Sequence, residues 1–168
     1  MLLYFIPLLL LFGSSFYRMK KNNTLFILFL LMLFLCFGYM TGSDWRGYEN
    51  CYYNGFLHKL FEPGYMLLSN TFSEFGINFW VFHILFKCIS FYATVWFIMK
   101  TCENENVFFV FTLWYASYGL FLYINCPFRN LIACGVSAIA FYFMFKKKWL
   151  LYFTLCTLAI SFHLSAII

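Results

Sequence analysis

INFWVFHILFKCISFYATVWFIM, residues 77–99, is an apolar run of membrane-spanning length interrupted by two ionisable side chains, His83 and Lys87. A helix crosses the hydrocarbon core with about 20 largely apolar residues, and with roughly 17 at the least. Backbone amides in hydrocarbon find no water, so such a segment must satisfy its own hydrogen bonds, and a single helix does so. Outward from this stretch, further runs lie at 1–17, 24–40, 107–124, 127–145 and 149–168. The expected fold is all-α, a polytopic transmembrane helix bundle of about six spans forming one integral membrane domain over residues 1–168.

Composition points the same way. Hydrophobic residues make up 64% of the chain, charged ones 10%, and mean hydropathy is +0.81, too little polar surface to cover a water-soluble core. The 26 Phe and 13 Tyr suit inter-helix packing and anchoring at the membrane interface. Seven cysteines show no CxxC pair and no regular spacing, so no zinc site is signalled and no metal is expected. Small buried apolar residues are the simpler account of most of them, with Cys51 and Cys126 the one pair open to a disulfide. Neither a Gly-rich phosphate loop nor a basic patch interleaved with aromatics is present, which speaks against ATP and nucleic acid. Basic residues follow the first apolar run instead of preceding it, so that run reads as a retained span and not a cleaved leader.

Charge sets the expected orientation. Arg18, Lys20 and Lys21 follow the first run, Lys100 the third, and Lys146, Lys147 and Lys148 the fifth, all on one side by alternation. The other side holds Arg46, Lys59 and Arg129. Basic loops stay cytoplasmic, so the amino terminus, the 41–76 loop and the 125–130 turn are expected outside. That long loop is expected to contain short interfacial helices, one near 47–60 and another beginning at Pro63.

The polar chemistry clusters on the same side. Asp44 follows Gly42 and Ser43, where an N-cap explains it as well as a rim of Asp44, Arg46, Trp45 and Tyr48 suited to sugars. Glu62 precedes Pro63, either as a helix cap favoured by the dipole or as a general base. Arg129, in the first turn after Pro127, is repelled by the positive end of its helix, so it calls for an anion. Helix N–H groups beside a guanidinium make a phosphate site, and the plainer alternative is snorkelling to ordinary lipid headgroups. His163, placed about 21 Å along a helix from Trp149, falls in the outer third of the last span between Ser161 and Ser165, either functional or hydrogen-bonded between helices. Lys87 and His83 share a face, one turn apart; Lys87 reads as functional by its depth, or as a lysine that snorkels on its long stem or is paired inside the bundle. The spans hold no carboxylate for a proton relay.

Four segments in order, Gly42-Ser43-Asp44-Trp45 with Tyr48, Glu62-Pro63-Gly64-Tyr65, Arg129-Asn130, and Ser161-Phe162-His163-Leu164-Ser165, resemble the motifs of EpsG-family membrane proteins, relatives of the Wzy-type polysaccharide polymerases. The resemblance covers about residues 30–168; many relatives carry Gln where this chain has Asn130. It implies a bacterial inner-membrane enzyme that joins exopolysaccharide, capsule or O-antigen repeat units carried on undecaprenyl diphosphate, on the outer face, with no cofactor. The implied partners are the lipid-linked oligosaccharide, membrane lipid and other polysaccharide assembly proteins. Glu62, Asp44 and His163 are then the candidate bases, and Arg129, Arg46, Asn130, Trp45 and Tyr48 the substrate-binding residues. Family members are commonly longer and Ile168 falls inside an apolar run, so the chain reads as an amino-terminal part or a truncated frame, with its independent activity left open. A non-catalytic membrane component and a flippase or transporter of the same machinery are the alternative readings.

Overall fold

The computed structural model describes residues 2–17, 19–54, 62–125 and 127–167. Arg18, Lys59 and Cys126, which enter the charge and disulfide readings, lie outside them. Among the described residues there are eight helices and no strand: α1 (Leu2–Ser15), α2 (Lys21–Cys36), α3 (Trp45–Asn54), α4 (Pro63–Glu74), α5 (Phe79–Thr101), α6 (Val107–Ile124), α7 (Phe128–Phe145) and α8 (Trp149–Phe162). One 3-10 turn, Leu164–Ile167, follows.

Three of these, α5, α6 and α7, are long and apolar enough to cross a membrane. The other three expected spans form shorter apolar helices, α1 with 14 residues, α2 with 16 and α8 with 14. At 1.5 Å per residue they reach about 21–24 Å, short of the roughly 30 Å hydrocarbon core. The third span begins two residues later than expected, because Asn78 caps it: its Oδ1 accepts from the Trp80 N–H at 2.8 Å. The fourth span widens to a π-helical turn at Tyr115–Gly119. The last ends at Phe162 rather than running on to 168, and His163 takes an extended conformation (φ −159°, ψ 124°).

α7 is the centre of the bundle, packed between α5 and α8, while α1 lies on α6 and α2 on α5. Tyr115 fixes the α1 contact by donating from its hydroxyl to the Tyr4 carbonyl at 2.9 Å. Lys100 and Lys146 line one cleft, so the carboxyl ends of α5 and α7 share an end of the bundle, called here the basic end. The opposite end carries α3 and α4.

Those two helices are fastened by aromatic packing. Tyr52, Tyr65, Phe79, Phe82 and Phe128 are buried and meet mostly edge to face. Tyr52 also donates to the Ile77 carbonyl at 2.8 Å, and the Phe79 N–H donates to the Tyr53 hydroxyl at 3.0 Å. The expected helix over 47–60 is α3, which starts two residues earlier at Trp45; residues 55–61 lie outside the described residues. α4 begins at Pro63 as expected, since proline's fixed φ suits the first helical position and its missing N–H costs nothing there.

Lys87 does not snorkel. It is fully buried on α5, and its Nζ has no hydrogen-bond partner among the described residues.

Candidate functional site

Four distant segments meet at the end opposite the basic end, and two glycines set how closely. Gly42 has φ +81°, and a Cβ there would lie 2.6 Å from the Asn125 carbonyl oxygen, so only glycine lets this turn rest on the end of α6. At Gly64 a Cβ would lie 2.8 Å from the Ser161 carbonyl oxygen, so the first turn of α4 sits directly on the last turn of α8. The first contact brings the α2–α3 segment beside the start of α7. The second brings Glu62 beside the end of α8.

Glu62 joins the parts. One oxygen, Oε2, accepts from Arg129 Nη1 in an ion pair. The other, Oε1, meets His163 Nδ1 at 2.9 Å and accepts from the Leu164 N–H at 3.3 Å. Glu62 occupies the N-cap position of α4, but its side chain makes no capping bond, because both oxygens are drawn across to α7 and α8. The same bonds account for the early end of α8. An N–H that a continuing helix would turn back to its own backbone is taken by the carboxylate instead. Arg129 finds the anion its position required, and that anion is Glu62.

Burial by itself would raise the Glu62 carboxyl, but its own backbone N–H, the His163 hydrogen bond and the Arg129 charge outweigh that and hold it below its usual range. Glu62 is therefore an anion with both oxygens engaged. Tyr48 closes the other side, its hydroxyl 3.5 Å from Arg129 Nε as acceptor. Desolvation keeps the Tyr48 phenol above its ordinary pKa although Arg129 pulls it down, so it remains protonated. Beneath lie Tyr65 and Phe128, each edge to face with Tyr48. The side chains of Arg129 and His163 keep 22% and 28% of their surface exposed, so a ligand can reach both.

The remaining candidates stand apart from this cluster. Asp44 is exposed and accepts from Ser43 Oγ at 2.8 Å, while its backbone carbonyl receives the Gly47 and Tyr48 N–H groups at the start of α3. Arg46 is exposed and lies over the Trp45 ring at 5.3 Å. Trp45 in turn packs on Trp80, which packs on Tyr39, adding two aromatic residues to the rim. Asn130 faces the other way, donating to the Tyr118 hydroxyl at 2.7 Å on the π-helical turn of α6. The sequence missed Tyr39, Trp80 and Tyr118 as neighbours. Placement of Trp80 and Tyr39 at the ends of apolar runs was the available signal. For Tyr118 there was none, because a π turn shifts which face a residue presents.

Among the described residues no group of His, Cys, Asp and Glu could hold a metal ion. Apolar helices bearing a carboxylate, guanidinium and imidazole at one end define an α-helical membrane protein with a compact polar site. The chain belongs to the EpsG family, whose model matches residues 23–168; this is a family of Wzy-like polymerases of polysaccharide biosynthesis. No curated protein and no solved structure matches it.

Proposed function

We propose that the protein transfers a glycan from one undecaprenyl-diphosphate-linked repeat unit to another at the outer face of a bacterial inner membrane, with its amino terminus outside. The carrying observation is that Glu62 bridges Arg129 and His163 across three segments far apart in sequence. Family membership supports the polymerase class, and the site supports the division of labour.

Glu62, engaged at both oxygens, serves as orienter and not as base. It selects the tautomer of His163 that carries the proton on Nδ1, which leaves Nε2 as the basic nitrogen, the role a buried carboxylate plays toward histidine in many hydrolases. The acceptor hydroxyl oxygen bonds to the anomeric carbon of the donor sugar while its proton passes to Nε2. The bond from that carbon to the diphosphate breaks, and its electron pair leaves with the lipid diphosphate. Arg129 stabilises the departing charge, for which one well-placed donor supplies about 3–4 kcal/mol in the transition state. Five N–H donors let one guanidinium serve a carboxylate and a phosphate together. Of the rim, Arg46 is exposed over the Trp45 ring and offers hydrogen bonds to sugar, with Asp44 beside it and Asn130 at the α6 side, while Trp45 and Tyr48 are buried and back these groups.

In cells lacking the gene, wild-type chain restores a ladder of surface polymer, and Arg129→Lys and His163→Ala leave single repeat units only. Unchanged polymer length with Arg129→Lys contradicts the diphosphate role, because lysine lacks the two-pronged fork. Accumulation of repeat units on the cytoplasmic face, in place of unpolymerised units outside, assigns the chain to transport.

A further inference from the structure

The Glu62 site lies at the amino end of α5, and the carboxyl end of this 23-residue helix is about 33 Å away. There, α2 and α5 leave a groove of about 660 Å³ between them, continuous with the start of α6. Its walls are apolar and aromatic, with Leu28 and Met32 from α2 facing Val95 and Trp96 from α5. The one charged lining residue, Lys100, stands at one end with Asn104 and Thr24, and the phenol of Tyr92 lies further along the groove. Lys100 also lines the adjoining cleft with Lys146, and Lys20 and Lys21 stand at the start of α2. Glu103 and Glu105, exposed in the turn after α5, are not among the lining residues.

We propose that this groove holds one anionic phospholipid, an acyl chain between α2 and α5 and the headgroup phosphate on Lys100 and Asn104. A convex helix face meets lipid that exchanges freely. A concave apolar slot with a cation at one mouth instead matches a ligand that is apolar along its length and anionic at one end, and a membrane supplies that ligand. Lysines near an anionic headgroup each favour it by roughly a fivefold factor. A volume of 660 Å³ falls within the range of specific ligand sites, which is about 300–1,000 Å³. The lipid is then a structural companion of α2, whose own packing on α5 is thin, and it lies at the end of the bundle opposite the Glu62 site.

Full-length chain purified in mild detergent is mixed with equal amounts of phosphatidylglycerol and phosphatidylcholine of matched acyl chains, and retained lipid is read by native mass spectrometry. One phosphatidylglycerol is expected to stay bound, favoured about fivefold over phosphatidylcholine. Lys100→Gln, an exposed change that leaves the helices intact, is expected to equalise the two lipids. Val95→Trp, which fills the slot, is expected to remove both, with a helical circular dichroism spectrum equal to wild type confirming the fold. Equal retention of both lipids by the wild type, no effect of either substitution, or a lipid-free dimer seated on this face overturns the proposal. None of these readouts depends on glycan transfer, so the two readings fail separately.

Discussion

Glu62 is the residue on which the site depends, and its environment makes its contribution measurable. Its carboxyl is held below the ordinary value of 4.5, so as the solution is acidified the unfolded chain takes up the proton first. The stability it adds is fully present above pH 4.5 and is lost as pH falls toward the depressed folded value. Glu62→Gln leaves Arg129 without its countercharge and is expected to destabilise the protein by about 1–3 kcal/mol near neutrality. In thermal melts in detergent, the gap between wild type and variant should close on acidification below pH 4.5; a gap independent of pH contradicts the ion pair. Lys87 is the opposite case, a buried amine whose Nζ has no hydrogen-bond partner among the described residues. Burying such a group carries a cost, and an apolar side chain of similar length removes it. Lys87→Met is expected to raise the melting temperature, by the equivalent of about 1–3 kcal/mol. A fall would mean that the amine is doing something that these contacts do not explain.

At the scale of elements, the sequence was informative where a proline marks the start of a helix. Pro63 starts α4, and Pro127 directly precedes α7, because proline suits the first turn of a helix and not its interior. Helix ends were less legible. α8 stops at Phe162 although the apolar run continues, and the cause is a carboxylate a hundred residues earlier in the chain, at Glu62. Local sequence does not carry that information. The same holds for Glu62 itself, whose position reads as a cap or a general base, with nothing to show that Arg129 and His163 share its carboxylate until α7 and α8 are seen beside it. Reading Arg129 as needing an anion was sound physics, but the source of the anion was visible only in three dimensions. The α4–α8 contact that joins these parts rests on Gly64. Gly64→Ala places a methyl against the Ser161 backbone and is expected to cost about 1–3 kcal/mol and to reduce polymer formation along with stability. A fully active, equally stable variant would show that α4 need not sit on α8.

For the whole molecule, composition decided the class, since a chain with 64% hydrophobic residues has no water-soluble arrangement to adopt. Six apolar runs were legible, but not that three of them form helices shorter than a bilayer core. Helix length depends on where the backbone turns, and hydropathy does not report turns. Alternation along the chain did place Asp44, Glu62, Arg129 and His163 toward one end, and the fold then separates a bonded cluster of Glu62, Arg129, His163 and Tyr48 from a rim of Asp44, Trp45 and Arg46. The most direct measurement is glycan transfer by the purified full chain, supplied with lipid-diphosphate-linked repeat units in vesicles. The account predicts one lipid diphosphate released for each new glycosidic bond, with the rate falling about a hundredfold or more in Arg129→Lys and in His163→Ala. Binding of the lipid-linked glycan by wild type without release of lipid diphosphate, or release undiminished in both variants, would contradict it.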